Sequence, residues 1–338
     1  MVSYDVLNKE LSNNLKPIYL LYGDEPYLMN MALKKIKKSF DELLLGINYI
    51  VLDDSSINNI ISDIQMPAFG YDKKLIVVKS SNILNVDGRK KTGSPIEENL
   101  ATFIEENIDD ITESAVIVFL ETAASKNLPL YKVIEKYGTI SEINELDMNQ
   151  LINKMIGVAQ LYKVKLEPNV ARYFVENCGT SLEVLINEIR KLIEYRGEGG
   201  VITTEDVDLL AIKQIENKIF DLTDKLCDKK IDEAIQILDN LIYEKEPLQV
   251  ILVQLYNHFK KLYLYSEAVA QNKNIVNALN LKPNQVFLVN KYKAQLSKLK
   301  VDTVKQVMEK LADLDYESKT GLLDLDIGIR TILCNYCS

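Results

Sequence analysis

Short continuous apolar runs alternate with amphipathic stretches through the first third of the chain. The runs are Ile18–Tyr22, Tyr49–Leu52, 75–78, 116–120 and, more weakly, 139–143. Continuous Ile/Val/Leu runs suit strands buried on both faces of a parallel sheet. Between them lie stretches with helical spacing. Residues 27–44 carry many lysines on one side, and 57–65 place Ile57, Ile60, Ile61 and Ile64 on one stripe; 97–107 and 127–136 complete the set. This alternation predicts an α/β domain of three layers. Residues 85–95, NVDGRKKTGSP, have no apolar period and read as an exposed loop.

After about Ile143 the strand signal disappears. Helical spacing runs over 148–163, and Pro168 fits the first turn of a helix ending near Cys178-Gly179. Residues 181–195 put Leu182, Leu185, Ile186, Ile189, Leu192 and Ile193 on one face, and Gly197, Gly199 and Gly200 stop that helix. Thr203 with Asp206 resembles a capping box. From Glu216 onward every run is helical: 219–227, 231–244, 248–272, 284–299, 303–318 and 322–334. A small helical domain followed by a helical bundle is expected.

Composition narrows the function class. The chain has 338 residues, 47% hydrophobic and 26% charged, with a formal charge of −9. This is a globular profile, and the acidic balance excludes general attraction to nucleic acid. Any DNA contact is expected to be local or supplied by partners. The opening MVSYDVLNKELSNN is polar, with no signal-peptide core, and no run is long and apolar enough to span a membrane. Four cysteines, mostly far apart, suit a reducing cytoplasm.

The first candidate for chemistry is PIYLLYGDEPYLMN, a strand, a glycine turn and a helix start. Mononucleotide folds hold phosphate at such a place. A phosphate loop needs a second Gly, a Lys and a Ser or Thr at fixed distances from the first Gly. Counted from Gly23, those places hold Leu28, Met29 and Asn30, and Asp24 and Glu25 put carboxylates where phosphate oxygens would lie. The run 115–121 ends Leu120-Glu121-Thr122, without the Asp-Glu pair that serves magnesium and water in an active ATPase. Glu121 is expected to be a surface residue at a strand end.

Other signals are weaker. His258 has no identifiable nucleophile or acid partner and reads as structural. Cys334 and Cys337 form a CxxC, but Cys178 and Cys227 supply no second pair for zinc. No cofactor, metal or catalytic residue is expected. Basic clusters at Lys34, Lys35, Lys37 and Lys38, at Arg89, Lys90 and Lys91, and at Lys291, Lys293, Lys298 and Lys300 read as solvated faces.

The best candidate binding segment is QMPAF, residues 65–69. Met66 lies two positions past Ile64, about 200° around the helix from the buried stripe. Pro67 breaks the helix, and Phe69 lies beyond the break, before Gly70. Two large apolar side chains off the buried stripe need a partner. In one reading they fold back onto the sheet edge beside Leu75; in the other they contact a second protein.

Four stretches carry a family resemblance: YGDEPYL at 22–28, MPAFGYDKKLIVV at 66–78, NEIRKL at 187–192 with VITTEDV at 201–207, and NKIFDL at 217–222. In this order they resemble the delta subunit of bacterial DNA polymerase III, the non-ATPase wrench of the sliding-clamp loader. The resemblance covers almost the whole chain. It implies an AAA+-like α/β domain without a phosphate loop over 1–144, a helical lid over 145–212, and a helical collar for oligomerisation over 213–338. It implies a subunit of the polymerase holoenzyme with no catalytic site of its own, which opens the clamp for loading onto primed DNA in the bacterial replisome at the nucleoid. The implied partners are the sliding clamp (the beta subunit), the loader ATPase subunits tau or gamma, delta prime in a heteropentamer, and primed DNA through the complex. It also implies that Met66, Pro67, Ala68 and Phe69 contact the clamp. Ala68 departs from the large residue often found there, which shifts the contact toward Phe69 and Met66. The competing readings are an active ATPase with an atypical phosphate loop and a general nucleic-acid-binding α/β protein.

Overall fold

The computed structural model describes residues 1–13, 15–85 and 94–336. They form two compact units, Met1–Glu145 and Leu146–Ser338. The first contains α1 (Tyr4–Glu10), β1 (Ile18–Tyr22), α2 (Pro26–Lys37), β2 (Tyr49–Leu52), a 3-10 turn at Ile57–Asn59 leading into α3 (Ile60–Gln65), β3 (Lys74–Lys79), α4 (Pro95–Glu106), α5 (Ile108–Ser114), β4 (Ala115–Glu121), α6 (Pro129–Tyr137) and β5 (Thr139–Glu142). The strands form one parallel sheet in the order β2-β3-β4-β1-β5. Leu20 of β1 lies opposite Phe119 on one side and Ile140 on the other. Every residue of β1 and β4 is buried, which is why neither run alternates polar with apolar. Ile57, Ile60 and Ile64 join Ile18, Leu20, Ile76 and Phe119 in one core.

Two helices of the first unit escaped the pattern. Both α1 and α5 are seven residues long with one buried position each, Leu7 and Ile111, too few to establish a period. The helix expected over 27–44 ends at Lys37. Beyond it, buried Asn48 staples a turn: its Oδ1 accepts from the Leu44 amide and its Nδ2 donates to the Glu42 carbonyl, both at 2.7 Å. The loop expected over 85–95 falls largely on 86–93, outside the described residues.

The second unit contains α7 (Met148–Leu161), β6 (Lys165–Leu166), α8 (Pro168–Cys178), α9 (Leu182–Arg196), β7 (Val201–Ile202), α10 (Thr204–Leu210), α11 (Ile215–Cys227), α12 (Ile231–Tyr243), α13 (Leu248–Ala270), α14 (Ile275–Ala278), a 3-10 turn at Pro283–Gln285, α15 (Leu288–Leu296), α16 (Val301–Lys319) and α17 (Leu325–Tyr336). Strands β6 and β7 pair in parallel, so the expectation of no strand beyond Ile143 is corrected. At two residues each, they are too short to leave a signature. Thr203 does cap α10: its amide donates to Asp206 Oδ2 at 2.8 Å, and Arg196 holds the same carboxylate at 2.6 Å. The C-terminal helices share a core from Ile219 to Leu333 that includes Leu255, Phe259 and Leu311. Among the described residues, no helix is long and apolar enough to cross a membrane.

Candidate functional site

The turn after β1 is shaped by packing. Gly23 has φ 135°, and a Cβ there would meet the Ile143 carbonyl oxygen at 2.3 Å. That close approach requires glycine without any phosphate. The turn is tied to the segment after β5: Glu25 N donates to the Ile143 carbonyl at 3.1 Å, and Asp24 Oδ1 accepts from the Glu145 amide at 2.7 Å. Helix α2 then begins with Pro26, which has no N–H, while Glu25 Oε1 accepts from the Tyr27 amide at 3.1 Å. The chain's own carboxylate therefore sits at the positive end of the helix, where an anion would otherwise be held. Leu28 and Met29, at the places of the second glycine and the lysine of a phosphate loop, are buried in the core face of α2.

Glu121 corrects an expectation. It is 2% exposed, not a surface residue. Its Oε1 accepts from Ser81 N at 3.0 Å and Ser81 Oγ at 2.6 Å, and its Oε2 accepts from Asn82 N at 3.2 Å. Ser80 and Asn82 are left-handed, at φ 49° and 56°. The carboxylate thus holds a strained turn at the end of β3. Burial raises its pKa, against the lowering effect of the Ser81 and Asn82 donors.

The candidate binding segment is the most exposed apolar feature near the end of α3. Phe69 is 62% exposed and Met66 40%. Neither folds back into the sheet edge. Pro67 is exposed beside them, and Ala68 is half-buried. Met66 leaves the helix at φ −60°, ψ 134°, and Phe69 is left-handed at φ 45°, a conformation uncommon for a bulky residue. The Tyr71 amide donates to the Ala68 carbonyl at 3.2 Å, closing a turn around Phe69 and Gly70.

Sequence reasoning missed the residue at the base of this turn. Lys74, the first residue of β3, is 1% exposed. Its Nζ donates to the Asp63 and Ile64 carbonyls, each at 2.7 Å, and to the Met66 carbonyl. Burial holds its pKa below the ordinary lysine value, and the nearby Asp63 carboxylate acts in the opposite direction. The available signal was the proline: Pro67 leaves a helix-end carbonyl without its amide donor, and a lysine follows on the next strand.

The remaining candidates have structural occupations. His258 is buried, with Nε2 donating to Gln295 Oε1 at 2.7 Å and lying 3.0 Å from Thr223 Oγ1. Gln295 Nε2 in turn donates to Asp224 Oδ1 at 2.6 Å, and the Phe220 ring meets His258 edge-on. Burial lowers the His258 pKa to about 4. Of the basic clusters, Lys298 pairs with Asp228 at 2.7 Å and Lys37 lies over the Tyr49 ring; Arg89, Lys90 and Lys91 lie outside the described residues. Cys178 is buried, Cys334 is exposed, and Cys337 lies outside the described residues. Among the described residues, no group of three or more His, Cys, Asp or Glu could hold a metal.

Two models of one family match the chain: "DNA polymerase III, delta subunit" over residues 19–144, and "DNA polymerase III delta subunit, C-terminal domain" over residues 216–336. DNA polymerase III subunit delta of Bacillus subtilis (strain 168) is 25% identical over 338 residues, covering 98% of this chain and 95% of the relative. The probable DNA polymerase III subunit delta of Aquifex aeolicus (strain VF5) is 25% identical over 317 residues, covering 91% and 87%. The solved structure of the Bacillus subtilis DNA clamp loader delta protein has the same fold, with a TM-score of 0.79 at 23% identity over 99% of both chains.

Proposed function

The chain belongs to the DNA polymerase III delta-subunit family, the delta subunit of the clamp loader, and on that basis we propose that it binds the ring-shaped sliding clamp and opens it for loading onto primed DNA. The observation that carries this reading is the pair of exposed apolar side chains, Met66 and Phe69, at the end of a helix whose other face is buried. Met66, Pro67, Ala68 and Phe69 form the clamp-docking element. Phe69, at the tip of its turn, is the anchor that enters an apolar pocket on the clamp.

Opening needs no chemistry from this chain. A subunit that binds the opened or distorted ring better than the closed one shifts the equilibrium by that difference in affinity. The chain works without a catalytic site of its own, a reading supported by the Glu25 carboxylate at the start of α2 and by the buried Leu28 and Met29. ATP is handled by neighbouring loader subunits of the tau or gamma kind, with delta prime completing a heteropentamer that encloses primed DNA.

The three-part division, 1–144 for the clamp-binding domain, 145–212 for the lid and 213–338 for the collar, is part of the same proposal. It is supported by the C-terminal core, whose members, Ile219 through Leu333, come from the last segment. Co-purification of the full chain with the sliding clamp and the loader ATPase tests the reading. A chain that assembles with the loader but leaves the clamp unbound refutes the docking role.

A further inference from the structure

We propose that Lys74 is the positioning residue of the docking element: its side chain closes the base of the 66–73 loop and sets the direction in which Met66 and Phe69 leave the domain. The proposal rests on reading that element as the clamp contact.

The chain leaves α3 with carbonyls in need of donors. In a continuing helix the Asp63 carbonyl would accept from the amide four residues on, which belongs to Pro67 and does not exist. The Ile64 carbonyl loses its own partner because Met66 turns to extended backbone. An ammonium has three N–H groups in a compact head. Lys74 directs them at three carbonyls, those of Asp63, Ile64 and Met66. The charge also sits at the negative end of α3 and near the Asp63 carboxylate. Lysine is almost never fully buried unless paired, and here the partners are all at one helix end.

The stem of Lys74 starts from a fixed point. Strand β3 is bonded to β2 and β4, and Lys74 itself lies in register with Ala115. The loop is therefore fastened at both ends to one rigid element. Between those ends the backbone is left-handed at Phe69 and Gly70, so the tip is held up by its base. Without the ammonium, the tip would sample several directions, and the clamp would have to order it on binding.

The chain contains no tryptophan, so Phe69→Trp places a single indole at the tip. In that background, Lys74→Met is expected to lower the steady-state anisotropy of the indole, while Lys74→Arg, which keeps charge and donors, retains most of it. A purely global effect on stability would not move this signal under native conditions. With Phe69 in place, Lys74→Met is expected to weaken clamp binding about fivefold, and in the Phe69→Ala background to cause no further loss. Lys74→Gln replaces Lys74→Met if the latter does not fold. Unchanged anisotropy in the apolar or amide variant overturns the proposal. If Phe69→Ala binds the clamp as tightly as the parent, the docking reading fails, and the anisotropy comparison alone judges Lys74.

Discussion

The Glu25 carboxylate accepts a hydrogen bond from the Tyr27 amide at 3.1 Å, so the second acid after the glycine turn caps its own helix. Pro26 between them contributes no N–H. A mononucleotide fold offers this helix start to phosphate; here the donor is already engaged by a fixed negative charge. Titration calorimetry of the full chain with MgATP is expected to give no binding heat. Glu25→Ala should lower stability by about 0.5–2 kcal/mol, the usual worth of an N-cap, and still create no nucleotide affinity. Saturable MgATP binding by the parent would favour the ATPase reading instead.

Phe69→Ala is expected to weaken clamp binding at least about tenfold, the effect of losing an anchor worth roughly 1.5–3 kcal/mol. Because Phe69 is 62% exposed, its thermal midpoint should stay close to that of the parent. Met66→Ala should weaken binding less. A clamp titration in which Phe69→Ala matches the parent would remove the docking role.

Glu121 offers a separate test of the scaffold. Glu121→Ala leaves Ser81 N, Ser81 Oγ and Asn82 N without their acceptor. The two left-handed residues Ser80 and Asn82 then lose the group that holds them. Urea denaturation should register a loss of about 1–3 kcal/mol. A variant as stable as the parent would mean the turn is held by other contacts.

His258 makes the C-terminal helices acid-sensitive. Its folded pKa, about 4, lies below the unfolded value of 6.5, because burial disfavours the imidazolium. The folded state therefore binds fewer protons. The stabilisation is present in full above the unfolded pKa and is lost as pH falls from 6.5 toward 4. The loss is on the order of 3 kcal/mol when complete. Urea midpoints of the parent and His258→Phe, compared at pH values across this window, should show a steeper acid loss in the parent. Parallel curves would contradict the shift.

How much of this was legible in the sequence depends on length and on burial. Strands β1, β3 and β4 could be read because each is buried by helices and neighbouring strands, so continuous apolar runs were required. Strand β2 lies at the sheet edge with Leu52 alone buried, and was read from its β-branched and aromatic residues. Helix α9 could be read because six of its fifteen positions are buried apolar residues at helical spacing. The two-residue strands β6 and β7 could not, because an isolated pair of residues has no period. Glu121 could not either. A carboxylate at a strand end looks the same whether water or a returning backbone turn meets it, and the partner here comes from the end of β3, forty residues earlier.

The sequence by itself determined the α/β-then-helical order of the chain, the missing phosphate-loop residues and the apolar pair beside Pro67. These depend on local periodicity and on residue chemistry. The tertiary structure alone decided the roles of two adjacent lysines. Lys73 immediately precedes β3 and Lys74 opens it, and their adjacency in sequence does not say which helix end either one meets. Half-buried Lys73 donates to the Thr112 carbonyl, in the last turn of α5, at 2.6 Å, while Lys74 is buried against the last carbonyls of α3. That difference arises only when the sheet has formed and α3 and α5 have taken their places against it, because only then does each ammonium come within reach of its own set of helix-end carbonyls.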